Sequence, residues 1–156
     1  MAGTTVRRED IEALPGAETT FAALRAAGVR VCLATGMSRA MLDHLVDVLG
    51  WRDLVDLTLA PELEDGLRGP PFPDLVLAAM LRLHVDDVRE VAVAGDTVDD
   101  LVAGARAGAS VVVGVLTGAD DAARLRSAPH THVLRAIDEF PAVVAAASYS
   151  SGGGGK

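Results

Sequence analysis

Residues 91–108 read VAVAGDTVDDLVAGARAG, and this stretch decides the fold. Its first four residues are apolar and half of them are β-branched, which predicts a buried strand over Val91–Ala94. A glycine-aspartate-threonine turn ends the strand, and the alanine-rich residues Thr97–Ala107 predict a helix. Asp96 and Asp100 are therefore expected at the carboxyl end of a strand, where open α/β sheets bind their ligands.

This pair of carboxylates suggests a metal site. Mg²⁺ prefers hard oxygen ligands, keeps several waters and shares its shell with substrate phosphates. The first hypothesis is therefore a metal-assisted phosphoryl site at Asp96 and Asp100. A helix N-cap followed by an acidic first turn, which the helix dipole favours, would produce the same sequence. The turn alone leaves both interpretations open.

The rest of the chain alternates helical and strand patterns joined by short turns. Strands in this order favour the α/β class, with a mainly parallel sheet and right-handed crossovers. One of them, Val111–Val115, has no polar face and is expected to be covered on both sides. The other predicted elements are helices over Glu18–Ala27, Ser38–Leu49, Asp74–Leu83, Asp120–Arg126 and Ile137–Ala147, and strands over Val29–Ala34, Val55–Leu59 and Thr131–Leu134. The predicted domain covers residues 1–147, and a flexible Ser/Gly tail covers residues 148–156.

Composition excludes several classes of partner. The length of 156 residues predicts one domain, and a net charge of −8 argues against nucleic acid as a partner. No apolar run approaches the roughly 20 residues of a membrane span, and no signal peptide is visible. The single cysteine, Cys32, cannot form an internal disulfide. These features predict a cytoplasmic protein.

Two further turns are candidates for anion binding. Thr35 and Gly36 follow the strand over Val29–Ala34, where a hydroxyl and the N–H groups at a helix start could cradle an anion. Arg68 precedes a proline-rich turn and could neutralise a phosphate. A simple helix cap would also explain Thr35 and Gly36. A rigid loop would also explain Arg68 and the turn that follows it.

In this order, the motifs resemble those of the phosphonatase-like branch of the haloacid dehalogenase superfamily. The resemblance is carried by MAGTTV (1–6), LATGMSRAMLDHLVDVLGW (33–51), PPFPD (70–74), VAVAGDTVDDLVAGARAGA (91–109) and VVGVLTGADDAARLRSAPHTHVL (112–134). It implies a Rossmann-like, three-layer core. It also implies an Asp nucleophile on the first strand, which forms an aspartyl-phosphate that water hydrolyses.

The resemblance also implies roles for individual residues. Mg²⁺ would be held by Asp96, Asp100 and the backbone carbonyl of Ala2. Thr35 would bind the phosphoryl oxygens, and Arg68 would balance their charge. The remaining contacts to a small phosphate or phosphonate-like ligand would come from Gly3, Thr4, Gly36 and Thr97. The expected activity is Mg²⁺-dependent hydrolysis of such a ligand.

The chain departs from the family pattern at the nucleophile. The nucleophile would occupy the position before Met1, so the sequence lacks it and the strand that carries it. The neighbouring strands would then be unpaired, and unpaired edges invite self-association or a partner's strand.

Other departures concern charge, proton transfer and the cap. Pro70 stands where the family has Lys or Arg, and Ala2 stands where phosphatases have an acid/base Asp. Only residues 7–15 replace the helical cap, so no cap domain is expected. The only lysine is Lys156, which excludes imine chemistry. Two other functions therefore stay open: a catalytically degenerate binding or assembly module, and a site repurposed for a non-phosphoryl reaction.

Overall fold

The computed structural model describes residues 16–61, 66–116 and 120–151, without the side chains of 148–151. Helices and strands alternate along these residues. The helices are α1 (Ala17–Ala26), α2 (Arg39–Leu49), α3 (Asp74–Arg82), α4 (Val98–Ala107), α5 (Ala122–Ser127) and α6 (Phe140–Ser151). The strands are β1 (Cys32–Ala34), β2 (Leu57–Leu59), β3 (Ala92–Gly95), β4 (Val111–Val115) and β5 (His132–Leu134). A short 3₁₀ turn at Val88–Glu90 was not predicted, and another at Ile137–Glu139 forms the start of the helix predicted over Ile137–Ala147.

The strands form two parallel sheets. β1 pairs with β2, whereas β3, β4 and β5 form a second sheet in that order. Every pairing between these strands is parallel, as the sequence predicts. The α/β class is therefore confirmed, but the expected single sheet is divided between β1 and β3 within the described residues.

Helices cover both faces of β4, which gives the predicted three layers. Val111, Val113 and Val115 pack in one cluster with Phe21 of α1 and Phe140 of α6. On the other face, Val112 packs with Leu101 of α4 and Leu125 of α5. A strand covered on both sides needs apolar residues at every position, which explains the unbroken valine-rich sequence.

β1 is shorter than its sequence pattern predicts, because the N–H groups of residues just before it donate hydrogen bonds to neighbouring segments. The Val29 N–H donates to the Leu24 carbonyl at the end of α1, at 2.9 Å. The Val31 N–H donates to the Asp56 carboxylate at 2.8 Å. The ladder with β2 therefore includes only the last three residues of the predicted strand.

The ends of α4 follow from its sequence. Thr97 and Asp100 form a reciprocal capping box at its start. Gly108 ends the helix with φ +92°, a conformation that suits glycine. Gly104 faces the sheet, where an added Cβ would lie 3.2 Å from Val93 Cβ. This close approach packs α4 against β3.

At the carboxyl end of the described chain, α6 continues to Ser151, beyond the predicted end at Ala147. None of the helices within the described ranges has the length and apolar character needed to cross a membrane.

Candidate functional site

The turn between β3 and α4 folds Asp100 back over the end of the strand. Asp100 Oδ2 accepts the N–H of Asp96 at 3.2 Å and the N–H of Thr97 at 3.3 Å. Thr97 Oγ1 in turn accepts the N–H of Asp100 at 3.2 Å. The two predicted metal ligands, Asp96 and Asp100, are thus joined by a hydrogen bond, and Thr97 orients the second of them.

Gly95 allows this arrangement because it has no side chain. A Cβ atom at this position would lie 2.8 Å from both Cγ and Oδ2 of Asp100, closer than real Cβ atoms come to such atoms. Glycine at the last position of β3 is therefore what lets the carboxylate lie against the strand.

The negative charge of Asp100 is unfavourable in this position. Burial raises the pKa of Asp100 above its usual value, and the charge of Asp96 raises it further, whereas the hydrogen bond with Thr97 lowers it. A bound cation would favour the charged form.

The two carboxylates could hold a magnesium ion only together with other ligands. Among the described residues, no group of three or more His, Cys, Asp or Glu side chains could hold a metal ion. Mg²⁺ is commonly bound by only one or two carboxylates, with water and substrate phosphate completing its shell. Asp96 and Asp100 therefore fit a magnesium ion that also needs other oxygen ligands.

Asp120 is a part of this site that the sequence did not reveal. Its N–H donates to the Asp96 carbonyl at 3.1 Å, and its Oδ2 accepts the Val98 N–H at 2.8 Å. Arg124 lies 3.5 Å from its other oxygen. Asp120 thus fixes the backbone on both sides of Thr97. The available signal was its position after β4, since adjacent parallel strands end at the same edge of a sheet.

Thr35 and Gly36 lie at the end of β1. Thr35 is only 3% exposed, its N–H donates to the Leu59 carbonyl at 3.1 Å, and its Oγ1 accepts the Met37 N–H at 3.2 Å. Gly36 packs against the proline-rich turn, where a Cβ on Gly69 would lie 3.5 Å from Gly36 Cα. The structure therefore brings these two predicted anion-binding turns together.

Arg68 is engaged with its own loop. Its Nε and Nη2 donate to the two oxygens of Asp74 at 2.9 and 2.8 Å, and its guanidinium lies 4.0 Å from the Phe72 ring centre. The hydrogen bonds with Arg68 lower the pKa of Asp74 from 3.8 to about 2. The predicted phosphate-neutralising cation is thus paired with a carboxylate.

A cavity of about 480 Å³ lies beside the site, and of the predicted site residues that the structure describes, Asp100 lines it. Ala34 and Pro70 line it on one side, and Gly95 and Asp100 on the other. The predicted contacts at Ala2, Gly3 and Thr4 lie outside the described residues.

Comparisons with known proteins agree with this fold. Residues 2–108 match the family model of haloacid dehalogenase-like hydrolases. Phosphonoacetaldehyde hydrolase of Bacteroides fragilis is 28% identical over 163 residues, which cover 88% of this chain and 60% of that protein. The chain thus spans about 60% of the length of this curated relative.

Solved structures show the same similarity. A HAD family hydrolase from Deinococcus radiodurans R1, solved with bound phosphate and sodium, is 33% identical with a TM-score of 0.76 and matches 86% of this chain and 60% of its own. A phosphonoacetaldehyde hydrolase-like protein from Oleispira antarctica, 23% identical, gives a TM-score of 0.81 over 96% of this chain and 62% of its own, and shares the fold. The chain belongs to the haloacid dehalogenase-like hydrolases and is a phosphonatase-like member of that superfamily.

Proposed function

We propose that this chain is the core of a Mg²⁺-dependent hydrolase that acts on a small phosphate ester or phosphonate. The observation that carries the proposal is the partly buried Asp100 carboxylate, which accepts the Asp96 N–H at the end of β3. A pair of carboxylates at this edge of a parallel sheet suits a cation that in turn binds phosphate. The similarity to phosphonoacetaldehyde hydrolases and to a phosphate-bound relative supports the ligand class.

Each described residue has a definite task in this proposal. Asp96 and Asp100 hold Mg²⁺, which when bound neutralises charge on the phosphoryl oxygens. Thr97 keeps Asp100 oriented through their two hydrogen bonds. Thr35 and Gly36 present a hydroxyl and backbone N–H groups to the phosphoryl group. We also retain the roles that the resemblance implies for Ala2, whose carbonyl would bind Mg²⁺, and for Gly3 and Thr4, which would contact the ligand.

The nucleophile is not one of the described carboxylates. Asp120 and Asp74 are both engaged with backbone N–H groups and an arginine. By resemblance, the nucleophilic Asp precedes Met1. Hydrolysis by this scaffold therefore requires a polypeptide that carries that residue.

An activity assay tests the proposal. Turnover of an aryl phosphate and of phosphonoacetaldehyde is measured with Mg²⁺ and with EDTA, on this chain and on a version extended upstream by an apolar strand ending in Asp. We expect Mg²⁺-dependent turnover by the extended version, and its loss in Asp96→Asn and Asp100→Asn. Asp99→Asn is the matched control, because Asp99 is exposed between the two ligands. Turnover that survives Asp96→Asn or EDTA would contradict the proposal.

The pairing of Arg68 favours a second candidate, a phosphate-binding module without catalysis. Pro70 stands at the position of the family's cation, and Arg68, the one cationic residue among the described loop residues 66–73, is paired with Asp74. Calorimetry with Mg²⁺ and inorganic phosphate separates the two functions. Binding that requires Asp96, without turnover by the extended version, would support the module.

A further inference from the structure

The turn between β3 and α4 is held from outside by Asp120, which lies just before α5. The Asp120 N–H donates to the Asp96 carbonyl at 3.1 Å, and the Asp120 Oδ2 accepts the Val98 N–H at 2.8 Å. The Asp120 side chain is only 14% exposed. One residue from a distant segment thus contacts the turn on both sides of Thr97.

The bond to the Asp96 carbonyl also bears on Asp100. The Asp96 carbonyl and the Thr97 N–H belong to one peptide unit, which is planar. Asp120 holds the oxygen of this unit, and Asp100 Oδ2 accepts its N–H at 3.3 Å. Because the two groups of a trans peptide point in opposite directions, the unit lies between Asp120 and Asp100. The orientation of the Asp100 carboxylate therefore depends on a hydrogen bond that Asp120 donates.

The bond to Val98 fixes the first turn of α4. The first N–H groups of a helix have no partner within the helix. The capping box of α4 joins Thr97 and Asp100 to each other and does not use the Val98 N–H. Asp120 supplies the missing acceptor for that group. Since Asp100 belongs to this first turn, the same bond restrains its backbone.

Asp120 acts through these residues and does not join them as a ligand. Within the described part of the chain, no group of three His, Cys, Asp or Glu side chains could hold a metal ion. The other oxygen of Asp120 lies 3.5 Å from Arg124, whose side chain is exposed, and exposed ion pairs contribute little. The hydrogen bond to Val98 is thus the contact through which the Asp120 side chain acts.

The adjacent Asp121 has the same chemistry at a different helix. Its Oδ1 accepts the Arg124 N–H at 2.9 Å and so caps α5, three residues further along the chain. The Asp120 side chain instead reaches back 22 positions to α4. Two neighbouring aspartates therefore each satisfy one helix N-terminus, and only the contact made by Asp120 involves the turn that carries Asp96 and Asp100.

We propose that Asp120 is a positioning residue for the metal site, whose contacts with the turn after β3 hold Asp96 and Asp100 in the arrangement that binds a divalent cation. Residues that orient metal ligands commonly change metal affinity by about 10–100-fold when they are replaced. The proposal rests on the proposed function, because it concerns the ligands of the same cation. It requires the position of the Asp120 oxygen and not its charge.

Calorimetric titration of this chain with Mg²⁺, in the presence of inorganic phosphate, tests the role. Asp120→Ala should weaken Mg²⁺ binding by about tenfold or more. Asp120→Asn keeps an acceptor oxygen in the same place and should restore most of the lost affinity. Asp120→Glu keeps the charge, but its carboxylate is displaced by one methylene group, and it should bind as weakly as Asp120→Ala. Asp121→Ala is the matched control and should bind like the unmodified chain, because its bond lies within α5.

Amide hydrogen exchange measures the positioning directly and without a metal. The N–H groups of Asp96 and Thr97 both donate to Asp100 Oδ2. They should exchange faster in Asp120→Ala and Asp120→Glu than in the unmodified chain. In Asp121→Ala the Arg124 N–H should exchange faster instead, and the Asp96 and Thr97 groups should keep their rates.

Unchanged exchange at Asp96 and Thr97 in Asp120→Ala would overturn the proposal, as would an equal loss of Mg²⁺ affinity in Asp120→Ala and Asp121→Ala. If Asp120→Ala fails to fold, the other two variants decide, and equal Mg²⁺ affinity of Asp120→Asn and Asp120→Glu would overturn it. Failure of the proposed function looks different: the unmodified chain binds no Mg²⁺, or binding survives Asp96→Asn. The exchange rates then still decide whether Asp120 positions Asp100.

Discussion

Gly95 and Asp100 are in such close contact that the glycine cannot accept a side chain. A Cβ at Gly95 would lie 2.8 Å from Asp100 Cγ. Asp100 is held there by the N–H groups of Asp96 and Thr97. The two residues therefore determine each other: the strand must end in glycine for the carboxylate to fold back.

Gly95→Ala should destabilise the protein and displace Asp100. Overpacking of this kind costs about 1–3 kcal/mol of unfolding free energy, which urea denaturation measures. Gly36→Ala is the control for stability, because its added Cβ would meet only Pro70 Cδ at 3.7 Å, an ordinary contact. Equal stability of the two variants would show that the turn after β3 relaxes freely.

Thr97→Ala should remove the cap of α4. The Thr97 hydroxyl accepts the Asp100 N–H at 3.2 Å, and loss of such a cap costs about 1 kcal/mol. Thr97→Ser keeps the hydroxyl and should retain most of the stability. If alanine and serine give the same urea midpoint, the capping box contributes nothing to folding.

The Arg68–Asp74 pair should make stability depend on acid pH. Because Arg68 bonds to the charged carboxylate, the pKa of Asp74 is about 2 in the folded protein, compared with 3.8 for the free side chain. The folded state thus holds the proton less tightly than the unfolded state. This contribution is fully present above about pH 4 and is lost as the pH falls towards 2.

Asp74→Asn tests this pH dependence. The difference in unfolding free energy between the unmodified chain and this variant should shrink between about pH 4 and pH 2. Asp99→Asn, at an exposed carboxyl in the first turn of α4, should show no comparable change. A constant difference for Asp74→Asn across this range would contradict the pairing.

Local rules made most of the site predictable from sequence. The strand, turn and helix at residues 91–108 follow from adjacent residues, because a cap and a glycine stop act within a few positions. In the structure Asp96, Thr97 and Asp100 lie together at the end of β3, and their roles in binding stay predictions.

Contacts between distant segments were less predictable. Asp120 reaches Val98 across 22 positions, and nothing in the local pattern of either residue indicates that hydrogen bond. β1 is shorter than predicted because the Val31 N–H donates to the Asp56 side chain. Arg68 was expected near the phosphoryl site, but Asp74, only six residues away, is the partner it binds. In the first two cases a hydrogen bond between distant segments decides what spacing leaves open, and in the third a pairing within one loop does.

Cys32 should be unreactive in the folded protein, although it lines the cavity. Burial raises the pKa of its thiol from 9.0 to about 12, and the charges of Arg82 and Arg39 offset this only in part. Since the thiolate is the reactive form, alkylation by iodoacetamide near pH 8 should be about a thousandfold slower than in urea-unfolded chain. Mass spectrometry measures the rate directly, because the chain has one cysteine. Similar rates in the two states would show that β1 is open to solvent on the cavity side, and that the space beside it is not the apolar interior that its lining indicates.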